Sequence, residues 1–244
     1  MNYRFLAILI SLAFSIPLNS CVSRKAPLTE NTMTVRGTVE GLRVGTLFLQ
    51  KVEDSEIVSI DSLTVSGSPD FEFTHEIEQP EIFYLYLQKK DGDTLNDVIT
   101  FFGEPGMIDI QTQLSTFESS AIITGSENQN LLQDFFSYQR RFQNQNLDLL
   151  EDYLNAQKSK NLILADSLQQ AIDHLLTRRY LFSINYAIQN ADKFMAPYIA
   201  LTHASEVQTH WLDSISNAFS NEVRESIYGR ELMKFIENRK SKEN

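Results

Sequence analysis

The sequence predicts an α+β protein: an N-terminal antiparallel β sandwich or open barrel of about eight strands, followed by a C-terminal all-helical region. Three observations carry this prediction. Eight of the nine glycines lie at or before Gly125, and the only later proline is Pro197. Turn residues of this kind punctuate short strands and are excluded from long helices. Before Gly125 apolar residues alternate with polar ones; after it they recur at spacings of three, four and seven, the periods of strand and helix respectively. The divisions expected are a signal segment at 1–20, a tether at 21–32, a β domain at 33–125 and a helical domain at 126–244.

Taken in chain order, Arg4 gives a short basic start, and Phe5 to Ile16 is an uncharged, mostly apolar run. Such a run is too short for a bilayer, which needs roughly 20 residues, and has the form of a secretory signal core. Leu18-Asn19-Ser20-Cys21 resembles a bacterial lipobox, in which the cysteine is diacylated and becomes residue one after cleavage. Asn19 departs from the small residue usual in that pattern. Cys21 is the only cysteine, so it is the expected lipid attachment point, and two or more acyl chains hold a protein stably where one does not. The membrane is therefore an expected partner. Val22 is not the Asp that resembles an inner-membrane retention signal, which favours an outer-membrane lipoprotein facing the periplasm.

In the β half, Met33, Val35 and Val39 alternate before Gly41, and Thr46 to Lys51 follows Gly45. Phe71, Phe73, His75 and Ile77 alternate with Glu72, Thr74, Glu76 and Glu78, the signature of a half-buried strand. Ile82 to Gln88 is a continuous apolar and aromatic run. Val98 to Phe102 and Met107 to Gln111 flank Gly103-Glu104-Pro105-Gly106, which reads as a tight hairpin. Ala121 to Thr124 closes the set.

In the helical half, Ser126 and Gln129 fit a capping box, with Ser126 accepting from backbone N–H groups and Gln129 reaching back. Leu131, Phe135, Tyr138, Phe142, Leu149 and Tyr153 form a helical stripe that Leu132, Phe136, Leu147, Leu150 and Leu154 widen, and stripes of this kind read as core. A second long helix is expected over 161–188, through Leu164, Leu168, Leu175 and Phe182. Shorter ones are expected over 193–204 and 207–219, with a last one over 221–238 loosened near Gly229.

The composition narrows function. The 21 Lys and Arg against 32 Asp and Glu give a net charge of −11. Acidity of this degree argues against nucleic-acid binding, which relies on clustered basic residues releasing counterions. Residues 21–125 hold 7 basic and 17 acidic side chains (7 − 17 = −10), whereas 126–244 hold 13 and 15 (13 − 15 = −2). One cysteine forbids an intramolecular disulfide or a CxxC redox pair.

Several residues resemble a known family: Gly37 and Gly41, Asp61-Ser62 with Val65, Phe71-Glu72-Phe73, Glu104-Pro105-Gly106-Met107-Ile108-Asp109-Ile110, and Ile123-Thr124-Gly125-Ser126 with Asn130. From about residue 33 to 135 the chain is similar to the domain of unknown function 4369, the N-terminal part of Gram-negative lipoproteins. The helical remainder, including Ser226-Ile227-Tyr228-Gly229-Arg230-Glu231-Leu232, is also similar to those relatives. In many of them a thioredoxin-like domain of the peroxiredoxin or TlpA type follows. Here only about a dozen residues follow that segment, and no CxxC occurs. The resemblance therefore implies a membrane-tethered portion without the redox chemistry, and it carries over no ligand.

No catalytic, cofactor-binding or metal-ligating set is assigned. His203 and His210 are seven residues apart. On one helix they would lie about 10.5 Å apart along the axis, too far for a single metal with bonds of about 2.0–2.1 Å. His203 with Glu206, and His210 with Asp213, each offer only two ligands. Asp91-Gly92-Asp93-Thr94-Leu95-Asn96-Asp97 lacks the Gly and Glu that a calcium loop needs at positions six and twelve. The expectation is a lipid-anchored cell-envelope protein acting as a binding or scaffold module with an envelope protein partner, accessory to a separate thioredoxin-like oxidoreductase. The alternatives are a periplasmic binding protein for a glycan or peptide, and an enzyme of unrecognised type.

Overall fold

A computed structural model describes residues 31–89 and 97–243. The lipobox residues Leu18, Asn19, Ser20 and Cys21, and most of the loop beginning at Asp91, lie outside the described residues. Eight strands come first: β1 (Thr32–Glu40), β2 (Val44–Glu53), β3 (Glu56–Ser66), β4 (Asp70–Glu76), β5 (Glu81–Gln88), β6 (Val98–Gly103), β7 (Gly106–Gln113) and β8 (Ile122–Thr124). Six helices follow: α1 (Glu127–Lys158), α2 (Leu162–Gln189), α3 (Met195–His203), α4 (Thr209–Ala218), α5 (Asn221–Arg224) and α6 (Ile227–Glu243). The α+β reading therefore holds, with the last strand ending at Thr124 and the first long helix starting at Glu127.

The strands form two four-stranded sheets, ordered β4-β1-β7-β8 and β3-β2-β5-β6. Their facing sides enclose one core, centred on Met33, Val35, Leu47, Leu49, Phe83, Leu85, Phe101 and Ile108. The sandwich is mixed rather than wholly antiparallel. β1 and β7 run parallel, in register from Met33 opposite Gly106 to Glu40 opposite Gln113. The hairpin expected at Gly103–Gly106 does not form. β6 pairs with β5 in one sheet while β7 joins β1 in the other, so this turn carries the chain between sheets. Period-two alternation gives the face of each strand but not its partner.

β3 is the strand without a clear sequence signal. It lies at a sheet edge, and of its residues only Val65 is buried. The β2–β3 turn holds Asp54 and Ser55 at φ 49° and 70°, the positive pair that a tight two-residue hairpin requires.

The second core lies in the helical half and includes two strand residues, Ile82 and Phe102. Along β5, Phe83, Leu85 and Leu87 face the sandwich core, while Ile82 and Tyr84 turn toward the helices. The β5–β6 end of that sheet is thus covered on both faces, which explains why Ile82 to Leu87 is a continuous apolar and aromatic run.

The last helix differs from expectation. The break falls at Glu225 and Ser226, before Gly229, which sits inside the first turn of α6. Ser226 Oγ donates to Val223 O at 2.6 Å and accepts from Gly229 N at 3.1 Å. A Cβ at Gly229 would lie 2.1 Å from Val223 O, so the glycine permits close backbone approach at the break.

Candidate interaction surface

The helical half is keyed to the sandwich at the start of α1. Ser126 caps the helix by accepting from Gln129 N at 2.9 Å, as its sequence predicts. Gln129 departs from the capping box. Its Oε1 accepts from Phe102 N at 2.7 Å, satisfying an outward N–H of edge strand β6 instead of reaching back to the cap. Glu104, in the turn between the sheets, accepts from Glu127 N and from Asn128 Nδ2. A carboxylate at this position meets the unpaired N–H groups and positive dipole end of α1. Asn128 Oδ1 accepts from Met195 N at 3.1 Å, which ties α3 to the same point.

A second key lies at α6. Gln79 Oε1 accepts from Ile227 N at 2.8 Å, and the Tyr228 hydroxyl accepts from Ile82 N at 3.0 Å. Burial is the main cause holding the Tyr228 phenol well above its usual range.

From this base α1 and α2 project as an antiparallel arm. At 1.5 Å per residue, 32-residue α1 is about 48 Å long. Its proximal part is locked. Tyr186 donates to Leu131 O at 2.8 Å and lies 3.2 Å from Asp134 Oδ2; burial first, then Asp134, raises its pKa. Phe135 packs on Phe182, Tyr186 and His203.

Beyond residue 142 the arm changes character. Between 143 and 178 only Ala156, Ala165 and Leu175 are buried. Nine of the sixteen large apolar side chains exposed among the described residues lie on α1 and α2, so apolar exposure concentrates there. Leu147, Leu150 and Leu154 are 57%, 40% and 49% exposed. The sequence reading of these three as core is corrected. Only two helices pack together here, so a stripe wide enough for a bundle has no third element to cover it.

The spacing of Leu147, Leu150 and Leu154 puts them on one flat side of the arm, and helical periodicity brings Leu176 of α2 to the same side. The opposite side holds a hollow of about 590 Å³ lined by Gln145, Asp148, His174 and Arg178 together with Leu149, Ala171 and Leu175.

The histidines do not converge. His203 ends α3, whereas His210 lies in α4, so they do not share a helix. His203 packs edge-on against Phe135 and Phe136. Burial, assisted by Arg179, lowers its pKa. Asp213, beside His210 in sequence, pairs with Lys240 at 2.7 Å. Among the described residues no group of three His, Cys, Asp or Glu side chains is arranged to hold a metal. None of the described helices is long and apolar enough to cross a membrane.

The family model for a domain of unknown function (DUF4369) matches residues 33–132, from the first strand to the opening of α1. The match covers 100 of the 244 residues. No curated protein and no solved structure matches the chain. The DUF4369 match ends just after Gln129, so it includes the side chain that joins the sandwich to the arm. The apolar row of the arm lies beyond it.

Proposed function

We propose that this protein is a lipid-anchored cell-envelope protein whose DUF4369 domain and helical region form a binding or scaffold module. The carrying observation is the row Leu147, Leu150 and Leu154 on an arm that buries little of its own surface. A contiguous exposed apolar row on a soluble surface marks an interaction site. The anchor rests on the lipobox-like Leu18-Asn19-Ser20-Cys21. The periplasmic face of the outer membrane is the proposed location. The family resemblance adds the class of partner: a separate thioredoxin-like oxidoreductase of the envelope.

The test is affinity purification of the native protein from envelope extracts, beside a Leu147→Ser, Leu150→Ser, Leu154→Ser variant. These side chains are exposed, so the variant keeps its fold. An envelope protein recovered with the parent and lost from the variant supports the reading. Recovery of nothing above background from the parent overturns it.

A further inference from the structure

The arm ends in a tight, well-bonded turn. Ser159 N donates to Asn155 O, Lys160 N to Gln157 O and Asn161 N to Ala156 O, at 3.0, 3.1 and 2.9 Å. Lys160 takes φ 57°, the left-handed conformation that closes a helix end. Asn161 then caps α2 by accepting from Leu164 N at 3.2 Å.

This geometry places no demand on the next three side chains, which occupy the first positions of α2. They are nevertheless Leu162, Ile163 and Leu164, exposed at 71%, 87% and 47%. Polar residues would serve the turn equally well, so local structure does not explain three adjacent aliphatic groups in water. Two basic side chains, Lys158 and Lys160, immediately precede the trio, and the nearest acids in the chain are Asp152 and Asp166.

From these observations we propose that the tip of the α1–α2 arm inserts into an anionic phospholipid surface. The aliphatic trio enters the acyl boundary and the two lysines lie among the headgroups. Apolar side chains flanked by basic ones match such an interface, since the two attractions add. A second copy of the chain fits less well. Three aliphatic side chains bury at most about 360 Å², against the roughly 800 Å² per partner of a stable protein interface. The inference does not rest on the N-terminal anchor or on the leucine row.

The test uses the full chain with Trp211→Phe and Ile163→Trp, which leaves one tryptophan, at the tip. The protein is mixed with phosphatidylglycerol vesicles carrying brominated acyl chains. The expected result is a blue shift with loss of emission by bromine quenching. Lys158→Glu with Lys160→Glu in the same background should weaken tip insertion about 25-fold or more, since each lysine near an anionic surface is worth about fivefold.

An unshifted, unquenched tip tryptophan on vesicle-bound protein overturns the proposal. So does a blue shift already present without vesicles, which would mean a protein contact. Quenching that survives the double lysine replacement overturns the electrostatic half and with it the assignment to anionic lipid. None of these readouts depends on an envelope protein partner, so this proposal and the scaffold reading can fail separately.

Discussion

Gln129 Oε1 accepts a 2.7 Å hydrogen bond from the backbone N–H of Phe102, so the first turn of the arm closes one point on the open edge of the sandwich. Edge strands carry unpaired N–H groups that other chains can use. Here a side chain from the next structural unit does so, in a buried setting. Replacing Gln129 by Ala leaves that N–H without its partner at an expected cost of about 1–3 kcal/mol. Ser126→Ala, which removes only the helix cap, should cost about 1 kcal/mol. Urea unfolding followed by both circular dichroism and Trp211 fluorescence checks this. Gln129→Ala should also separate the two transitions, because the sandwich and the helices lose a direct bond; coincident transitions at the parent midpoint would refute the keying role.

Gly229 offers a sign test. Inside an exposed helix, Gly→Ala gains about 1 kcal/mol from propensity. At Gly229 the added Cβ would meet Val223 O at 2.1 Å and Arg224 O at 2.5 Å. Both are backbone atoms and cannot swing aside. Gly229→Ala should therefore destabilise, by about 1–3 kcal/mol for forced overpacking. On the scale of about 2–4 °C per kcal/mol, the melting temperature falls by several degrees. A rise in melting temperature would show that α5 and α6 separate easily.

His203 predicts a pH dependence. Its folded pKa lies below the ordinary 6.5, with burial against the arm as the main cause and Arg179 the second. The unfolded chain then binds more protons than the folded one once the pH drops toward that value. Stability is fully present above 6.5 and is lost as pH falls through the folded pKa. His203→Phe keeps the ring contacts with Phe135 and Phe136 and removes the titration. Urea midpoints measured above and below 6.5 should fall less for the variant than for the parent. Equal falls would mean that His203 is solvated in the folded protein.

Legibility in the sequence followed what each signal encodes. The glycine and proline asymmetry marked the boundary near Gly125 because backbone type depends directly on those residues. Alternation identified strands such as Phe71–Ile77, but the β1–β7 parallel pairing depends on where the Gly103–Gly106 turn sends the chain, which no local pattern encodes. Ser126 capped α1 as expected, while Gln129 found a partner from a strand 27 residues away. The row Leu147, Leu150 and Leu154 reads as core by its spacing but is exposed. Helical spacing shows that residues share a face, but not whether another element covers it. Leu164 reads as part of the core stripe of the second helix, yet it is 47% exposed beside Leu162 and Ile163, because it sits at the end of an arm where nothing covers it.

Attachment through Cys21 and contact through the arm tip predict different behaviour in fractionation. Acyl chains bury many methylenes and resist salt, whereas a tip held partly by Lys158 and Lys160 is screened by it. The native protein should therefore stay with the membrane fraction through a high-salt wash. Cys21→Ser should move most of the protein to the soluble fraction, with a residue bound that salt releases. Adding Ile163→Ser and Leu164→Ser to Cys21→Ser should abolish even that residue. Mass spectrometry of the mature native protein supplies the independent check: cleavage before Cys21 would remove the mass of residues 1–20, and acylation of Cys21 would add that of the acyl groups. A mature protein without lipid mass would refute the anchor. Quenching of the tip tryptophan would still decide the second contact.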